Sequence, residues 1–525
     1  MIIIVFLPNR KKGEVVTKQS FLYGTIVLIV ASMLTRFLGF INRMITARLM
    51  GEEGIGLYML VMPTLFLLLT LTQIGLPLAI SKNIAEAYAK NDEGRIRKIM
   101  TYAFIIITCT SIFFTVSLIV FAPVIATYLL TDERTEYLLY ALAPAIPIIA
   151  FSSLFKGYFQ GLQNMKPQSI GLVIEQIVRI GFVYVAIHYF IQFGIVHAAV
   201  SAVVSITIGE IASFLFLYYQ YKKFQVKKTQ AKQSSHILSS LLTIALPHTT
   251  SKLVQSFSNF LEPIFVTKSL KVAGYSTVEA TKQYGELTGF VMPLLFLPTF
   301  ITNSISVALL PSVSMLQTRN EQKVLFERME QAIRFSFLSG AVATIIFMLF
   351  ANPILTYIYG TSNASLFVKM MAPFFLCLYI HTPLQTILIS LNYAREVMWN
   401  NILGAIVKFS ILIVFTSHSA FGIYGVVIAL NTYVLFVMCL HFLLLYRRTK
   451  FFLPFKNVFR LVLLFISTYA VAYMLKTYII IDGIFMFMML LGLIICIYTI
   501  FIFLFRCITK EEWIQFKKIL WKSNG

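Results

Sequence analysis

Two arginines, Arg36 and Arg43, lie inside an apolar run of residues 21–49. A helix rises about 1.5 Å per residue, so this run can cross a hydrocarbon core of about 30 Å, with Arg36 near its middle. Arg43 follows two turns later on the same face, beside Asn42, and Gly39 between the arginines permits a close neighbour. A lone guanidinium in hydrocarbon costs several kcal/mol, so this face is expected to border a polar interior. The pattern predicts an anion-binding site that uses Arg36, Asn42 and Arg43.

Other charged side chains inside apolar runs supply the remaining candidates. Arg179 and Lys408 are further candidate contacts with a substrate. Candidate residues for coupling to an ion or a proton are Glu175, Glu210, Glu262, Glu286 and His381. Two further cations within the apolar runs are Lys156 and Lys252. Each has a purely structural alternative. Glu175 and Arg179 have the spacing of an internal ion pair, the other glutamates can hold helices together, and His381 can be an ordinary core residue.

The composition is that of a membrane protein. Apolar residues make up 58% of the 525 residues and charged residues only 12%, and the mean hydropathy is +0.83. A soluble domain has about twice that charged fraction. The hydrophobic runs predict about fourteen membrane-spanning helices, and therefore an all-α polytopic membrane protein.

The distribution of the net charge of +22 along the chain indicates the membrane topology. Lysine and arginine are concentrated in alternate connections, at residues 82–98, 222–232, 319–334, 447–460 and 506–522. This positive-inside pattern predicts that both termini are cytoplasmic, and it explains the charge without a nucleic-acid partner. The connection that carries Lys268, Lys271 and Lys282 is the exception, because it is predicted to lie outside.

An internal repeat divides the chain. Ala143-Pro144 recurs as Ala372-Pro373, and Leu162-Gln163 as Leu391-Asn392, at a constant offset of 229 residues. We therefore predict a leader at 1–17, a six-helix N-lobe at 18–221, a basic cytoplasmic linker at 222–236, a six-helix C-lobe at 237–450, and two extra helices with a basic cytoplasmic tail at 451–525. An even number of helices makes the two repeats parallel, and such duplicated bundles bind substrate between the copies.

Motifs for hydrolytic chemistry are missing from the sequence. It contains no GxxxxGK[ST], HExxH or GxSxG pattern, so we predict a protein that is not an enzyme and that uses a gradient or the membrane potential. The five cysteines lie in apolar stretches without CxxC spacing, and we expect neither a metal site nor another cofactor.

Several segments resemble a known family. Residues 35–40 (TRFLGF), followed by Ala47-Arg48, are similar to the first-helix signature of the multidrug/oligosaccharidyl-lipid/polysaccharide exporter superfamily, in particular its lipid II flippases. Residues 51–59 (GEEGIGLYM), 280–290 (ATKQYGELTGF) and 371–375 (MAPFF) resemble a branch found in spore-forming bacteria. The likeness extends over roughly residues 18–505.

The resemblance implies a two-lobed, V-shaped transporter with a cationic central cavity, in which Arg36 contacts a pyrophosphate. It also implies that the last two helices form a groove for a polyprenyl tail. The implied substrate is an undecaprenyl-pyrophosphate-linked sugar, a peptidoglycan precursor for spore cortex synthesis, moved across the cell membrane by alternating access. Its implied partners are membrane lipids and, as further candidates, cell-wall synthesis proteins. Two alternatives stay open: a cation-coupled multidrug exporter of the same superfamily, and a non-transport accessory protein of cell-wall synthesis.

Overall fold

The computed structural model describes residues 21–223, 237–319, 321–479, 482–508 and 512, and all regular structure within them is helical. The α-helices are α1 (Phe21–Gln73), α2 (Leu76–Ala89), α3 (Glu93–Val124), α4 (Thr135–Leu142), α5 (Ala145–Gly161), α6 (Lys166–Phe190), α7 (Ile195–Lys223), α8 (Ile237–Val272), α9 (Thr277–Gly285), α10 (Met292–Leu295), α11 (Thr299–Thr318), α12 (Gln322–Tyr359), α13 (Ser365–Ser390), α14 (Ala394–Thr416), α15 (Ile423–Thr449), α16 (Phe455–Tyr478) and α17 (Gly483–Leu504). Short π-helical turns at Ile125–Leu129 and Glu286–Val291 continue α3 and α9, and a 3-10 turn at Ile191–Phe193 continues α6. The predicted leader, the linker from residue 224 and most of the predicted tail lie outside the described residues.

Twelve helical stretches among the described residues are long and apolar enough to cross a membrane. This agrees with the predicted all-α polytopic fold, while the count of fourteen spans stays a prediction. Helix α1 has 53 residues, about 80 Å of helix, which is too long for one crossing. It divides at Gly51, whose φ of 67° and ψ of −170° interrupt the helix. A positive φ of this kind suits glycine, which has no Cβ to clash.

The connections between long helices alternate between two ends of the molecule. The basic connections that the structure describes, at residues 82–98, 321–334 and 447–460, lie at one end, here called the inner end. The opposite end, called the outer end, carries Gly51, Asp132 and Thr281. By the positive-inside rule the outer end is predicted to face away from the cytoplasm.

The helices form two lobes that share a large core at the outer end. Following the division predicted from the repeat, we call helices α1 to α7 the N-lobe and helices α8 to α15 the C-lobe. One apolar core at the outer end joins Leu57 and Val203 of the N-lobe to Leu287 and Phe350 of the C-lobe. Toward the inner end each lobe has a separate core, although Leu241 in the first turns of α8 packs on the N-lobe. The lobes are thus packed together at the outer end and diverge toward the inner end.

Helices α16 and α17 are attached to the C-lobe through α12. The hydroxyl of Tyr498 in α17 donates a hydrogen bond of 2.7 Å to the carbonyl oxygen of Leu338 in α12. The remaining surface of the pair is strongly apolar and exposed, with Ile466, Phe485 and Met488 among its side chains. The domain boundaries predicted from the repeat stay predictions.

Candidate substrate cavity

A cavity of about 280 Å³ lies between the two lobes. Its N-lobe wall comes mainly from α1 and α6, and its C-lobe wall from α10, α11 and the turn between them. The described residues that line it are Arg36, Gly39, Phe40, Asn42, Arg43, Thr46, Tyr58, Gln176, Arg179, Pro293, Phe296 and Phe300. The lining therefore contains three arginines and no carboxylate.

The part of α1 that precedes Gly51 presents Arg36 and Arg43 to the cavity, as their spacing predicts. Arg36 is exposed and Arg43 half-buried, and neither forms an ion pair with a carboxylate in the part of the chain that the structure describes. Between them, a Cβ at Gly39 would lie 3.6 Å from Oε1 of Gln176 on α6, an ordinary contact distance. Helices α1 and α6 thus meet along the wall, and both guanidinium groups stay available to an anion.

Three polar atoms at the wall have no hydrogen-bond partner among the described residues. These are Oδ1 of Asn42, Oε1 of Gln176 and Nε of Arg179. Buried polar atoms in proteins are almost always satisfied, so unsatisfied ones beside a cavity identify where a polar ligand or water would bind. The Nε of Arg179 is a donor, and it adds to the anion-binding capacity of the two arginines on α1.

Arg179 is held in place by its own helix. Its Nη2 lies 3.0 Å from Oε1 of Glu175, one turn earlier on α6, and Nε2 of Gln176 donates to the same oxygen at 3.2 Å. The ion pair anticipated from the spacing is present. Because Glu175 offsets one of the three arginine charges at the wall, the cavity keeps an excess of positive charge.

The other predicted site residues lie away from the cavity. Nζ of Lys408 on α14 is 2.7 Å from Oε2 of Glu262 on α8, inside the C-lobe. The imidazole rings of His381 and His441 stack with their centroids 4.9 Å apart, also within the C-lobe. Glu286 is buried near the outer end. We therefore leave Lys408 out of the proposed anion site.

Two further cations of the sequence analysis also lie away from the cavity. Nζ of Lys156 on α5 is 2.9 Å from Oε1 of Glu210 on α7, inside the N-lobe. Lys252 on α8 is exposed and is absent from the lining.

Removing one member of the Lys408–Glu262 pair should destabilise the protein. Lys408→Met leaves the Glu262 carboxylate, whose side chain is only 17% exposed, without its cation. Breaking a fully buried pair costs about 3–5 kcal/mol, and we expect a loss toward the lower end of that range here. Thermal unfolding of the purified protein in detergent should show a clearly lower midpoint, largely restored by Lys408→Met combined with Glu262→Leu. The exposed pair Arg448–Glu396 provides the control, because Arg448→Met removes a surface interaction worth about 1 kcal/mol or less. Equal losses at the two sites would contradict a structural role for Lys408.

Polar contacts across the lobes close the outer end, and sequence reasoning missed them. On the N-lobe side, Glu53 pairs with Arg134, whose Nη2 lies 2.8 Å from Oδ2 of Asp132. That carboxylate oxygen also accepts a 2.8 Å hydrogen bond from the hydroxyl of Thr281 in the C-lobe. Hydrogen bonding to Asp132 raises the pKa of Arg134, which keeps the guanidinium charged.

Glu52 makes a further set of polar contacts between the lobes. Its carboxylate binds Nζ of Lys282 at 3.1 Å and accepts hydrogen bonds from Asn363 at 2.7 Å and Thr361 at 3.2 Å. The hydrogen bond to Glu52 raises the pKa of Lys282. We call these residues the outer latch: Glu52, Glu53, Asp132 and Arg134 of the N-lobe, and Thr281, Lys282, Thr361 and Asn363 of the C-lobe.

The signal for the latch in the sequence was the basic outer connection that disagreed with the topology rule. Lys282 belongs to that connection, and its partner Glu52 lies in the GEEGIGLYM segment already singled out by resemblance. No local pattern joins residues so far apart in the chain. The uncharged cavity residues, among them Gln176, Tyr58 and Phe300, were missed because the search considered mainly charged side chains.

Repeated membrane-crossing helices, two lobes and a cationic cavity between them define a multi-pass membrane transporter. The family described as "Polysaccharide biosynthesis protein" matches residues 21–317. The chain belongs to this family, within the multidrug/oligosaccharidyl-lipid/polysaccharide exporter superfamily, and is a transporter and not an enzyme.

Individual relatives agree with this membership. The chain is 46% identical over 430 residues to "Stage V sporulation protein B" of Bacillus subtilis (strain 168), covering 81% of this chain and 83% of that protein. It is 23% identical to "Lipid II flippase MurJ" of the same organism, over 65% of this chain and 66% of that one. A solved structure, "Lipid II flippase MurJ, inward closed conformation", superposes with a TM-score of 0.71 at 15% identity, covering 92% of this chain and 99% of that one. At this identity the structural likeness shows the fold alone.

Proposed function

We propose that this protein is a flippase for an undecaprenyl-pyrophosphate-linked sugar, and that its cargo is a peptidoglycan precursor for the spore cortex. The observation that carries the proposal is the cavity between the lobes, which is lined by three arginines and no carboxylate among the described residues. The names of its relatives, a stage V sporulation protein and a lipid II flippase, support the choice of cargo.

The chemistry of the cavity suits a pyrophosphate. A pyrophosphate cannot enter hydrocarbon unaided, because burial of an unpaired charge is prohibitively costly. Arginine offsets that cost better than lysine, since its planar fork donates two hydrogen bonds to two oxygens at once. Arg36, Asn42, Arg43 and Arg179 are the proposed contacts. In this proposal the aromatic and proline side chains of the C-lobe wall border the sugar.

The polyprenyl tail has no need to enter the cavity. In the proposal it stays in the lipid, beside the exposed apolar surfaces of α16 and α17, while only the headgroup crosses between the lobes.

Alternating access is the proposed mode of transport. The shared core and the outer latch hold the lobes together at the outer end, whereas the inner ends have separate cores. In this proposal, the described arrangement is the one that receives the headgroup from the inner side. In the proposed cycle the latch opens and the inner ends approach each other, which exposes the headgroup to the outside.

The rival functions make different demands on the site. A cation-coupled multidrug exporter needs carboxylates facing its cargo, whereas the described lining offers guanidinium groups. A non-transport accessory protein needs no cationic cavity between the lobes. The arginine lining favours the flippase over both.

Native mass spectrometry of the purified full-length protein tests the proposal. We expect the undecaprenyl-pyrophosphate-linked peptidoglycan precursor to bind in preference to undecaprenyl monophosphate and to a cationic dye. The monophosphate shares the tail, so this comparison isolates the contribution of the headgroup. Preference for the dye would favour the multidrug exporter. Equal binding of the two lipids would contradict a binding site for the pyrophosphate-linked headgroup.

A further inference from the structure

Behind Arg179, four charged side chains from three helices form one buried cluster, here called the quartet. Lys156 on α5 binds Glu210 on α7, and Glu175 on α6 binds Arg179, with nitrogen-to-oxygen distances of 2.9 and 3.0 Å. The two glutamate side chains are only 4% and 9% exposed. Arg179 alone of the four lines the cavity, so the quartet connects the cavity wall to the interior of the N-lobe.

The two carboxyl groups of the quartet are neighbours. The two ion pairs and the close packing of α6 on α7 at Gly209 place the carboxyl groups of Glu175 and Glu210 in the same buried cluster. Gly209 makes this possible: a Cβ at that position would lie 2.8 Å from the carbonyl oxygen of Glu175 and 3.1 Å from Cβ of Arg179. Ionised carboxylates have no donor, so a hydrogen bond between them requires one proton. Two carboxylates sharing a site repel each other when both are ionised.

The protonation state of this pair sets the charge behind the cavity wall. With both carboxylates ionised, the two anions balance Lys156 and Arg179 and the quartet is neutral. With one proton between them, the quartet carries one positive charge. The other charged or titratable side chains that line the described cavity are Arg36, Arg43 and Tyr58 on α1, and none of them is a carboxyl group.

We propose that the Glu175–Glu210 pair takes up one proton when an anionic headgroup occupies the cavity and releases it when the headgroup leaves. The proton comes from water on the side to which the cavity is open, and it resides between the two carboxyl groups; no other bond changes. This inference rests on the proposed function, and it adds a proton to the transported charge. Anion and proton strengthen each other's binding by the same factor, because such coupling is reciprocal.

The direction of the pH effect follows from the linkage. Protonation favours the anion-bound state, so affinity for the anion is highest at low pH and falls as pH rises. One linked proton changes the dissociation constant by at most about tenfold per pH unit within the titration range. Beyond that range the affinity becomes independent of pH.

Isothermal titration calorimetry of the full-length protein in detergent tests the linkage. Geranyl pyrophosphate serves as the probe, since it is soluble and carries the pyrophosphate with a short isoprenoid tail. Titrations in two buffers of different ionisation enthalpy, between about pH 6 and pH 8, give the number of protons taken up per anion. The probe's own titration contributes equally to every variant, so the difference between variants reports the protein.

The wild type should take up more protons per anion than Glu210→Gln, and its dissociation constant should rise more steeply with pH, by about tenfold more over that range. Glu396→Gln, which removes an exposed glutamate from the C-lobe, is the matched control and should behave as wild type. Because Glu210→Gln leaves Lys156 without a carboxylate, Lys156→Met combined with Glu210→Gln removes both charges together. The double variant should also lose the additional proton uptake.

Equal proton uptake in wild type and in both Glu210 variants would overturn this inference and leave the proposed function intact. Failure of the wild type to bind geranyl pyrophosphate at any pH would overturn the proposed function and this inference with it. Thermal unfolding of each variant confirms that the protein compared is folded.

Discussion

Arg36→Ala is expected to lower the affinity for the pyrophosphate-linked precursor about a hundredfold and to abolish flipping, while the protein stays folded and inserted. Arg36 lines the cavity and has no carboxylate partner in the described part of the chain. Its loss therefore removes a positive charge from the ligand site without leaving a carboxylate of the protein unpaired. A hydrogen bond to a charged group contributes about 1.5–3 kcal/mol, and about 2.8 kcal/mol corresponds to a hundredfold change in affinity. Binding is measured by native mass spectrometry and flipping in reconstituted vesicles.

Two companion variants sharpen that test. Arg36→Lys keeps the charge but loses the planar fork, and should bind with intermediate affinity. Lys252→Ala removes an exposed cation that does not line the cavity, and should behave as wild type. Normal flipping by Arg36→Ala at normal membrane abundance would contradict the assignment of Arg36 to the headgroup site.

Gly56→Ala is expected to prevent closure of the outer end and reduce transport to near zero. A Cβ at Gly56 would lie 2.1 Å from the carbonyl oxygen of Thr281 on α9, and a Cβ at Gly285 would lie 2.2 Å from the carbonyl oxygen of Glu52. The backbones of the two lobes therefore touch directly beside the outer latch. A methyl group at Gly56 forces them apart, since backbone atoms cannot move aside as a flexible side chain can.

Accessibility of the cavity from outside reports this change. A cysteine at Thr46, which lines the cavity, should react with a membrane-impermeant maleimide added outside in the Gly56→Ala background and be protected in the parent. Gly181→Ala is the matched control, because a Cβ at Gly181 would meet no atom within 4 Å. Unchanged protection and transport in a folded Gly56→Ala protein would show that the outer end does not need this contact to close.

Local sequence was enough to predict the class of protein and one wall of the cavity. The all-α polytopic fold and the family membership are confirmed. Arg36 and Arg43 share a face because helical periodicity is a local property, and the structure places both at the cavity together with Asn42. Their contact with a substrate stays a prediction until binding is measured.

The partners of the other charged residues were beyond local reasoning. Lys408 binds Glu262, 146 residues earlier, and Lys156 binds Glu210, 54 residues later. A charged side chain inside a membrane span can bind a ligand or form an ion pair with a neighbouring helix, and the sequence does not distinguish these two roles. Which of these occurs depends on how the helices pack. Lys408 pairs with Glu262 inside the C-lobe, whereas Arg179 lies in the wall of the cavity.

The sequence by itself determined that the chain spans a membrane many times and carries two arginines inside an apolar run, while the internal repeat stays a prediction. These properties depend on hydropathy and periodicity, which act over a few residues. Only the tertiary structure decided that the outer latch joins Glu52 to Lys282 and Asp132 to Thr281, that the described cavity excludes carboxylates, and that Glu175 and Glu210 are neighbours. Such contacts depend on the packing of helices distant in sequence, where close approach at Gly56, Gly209 and Gly285 brings backbones together.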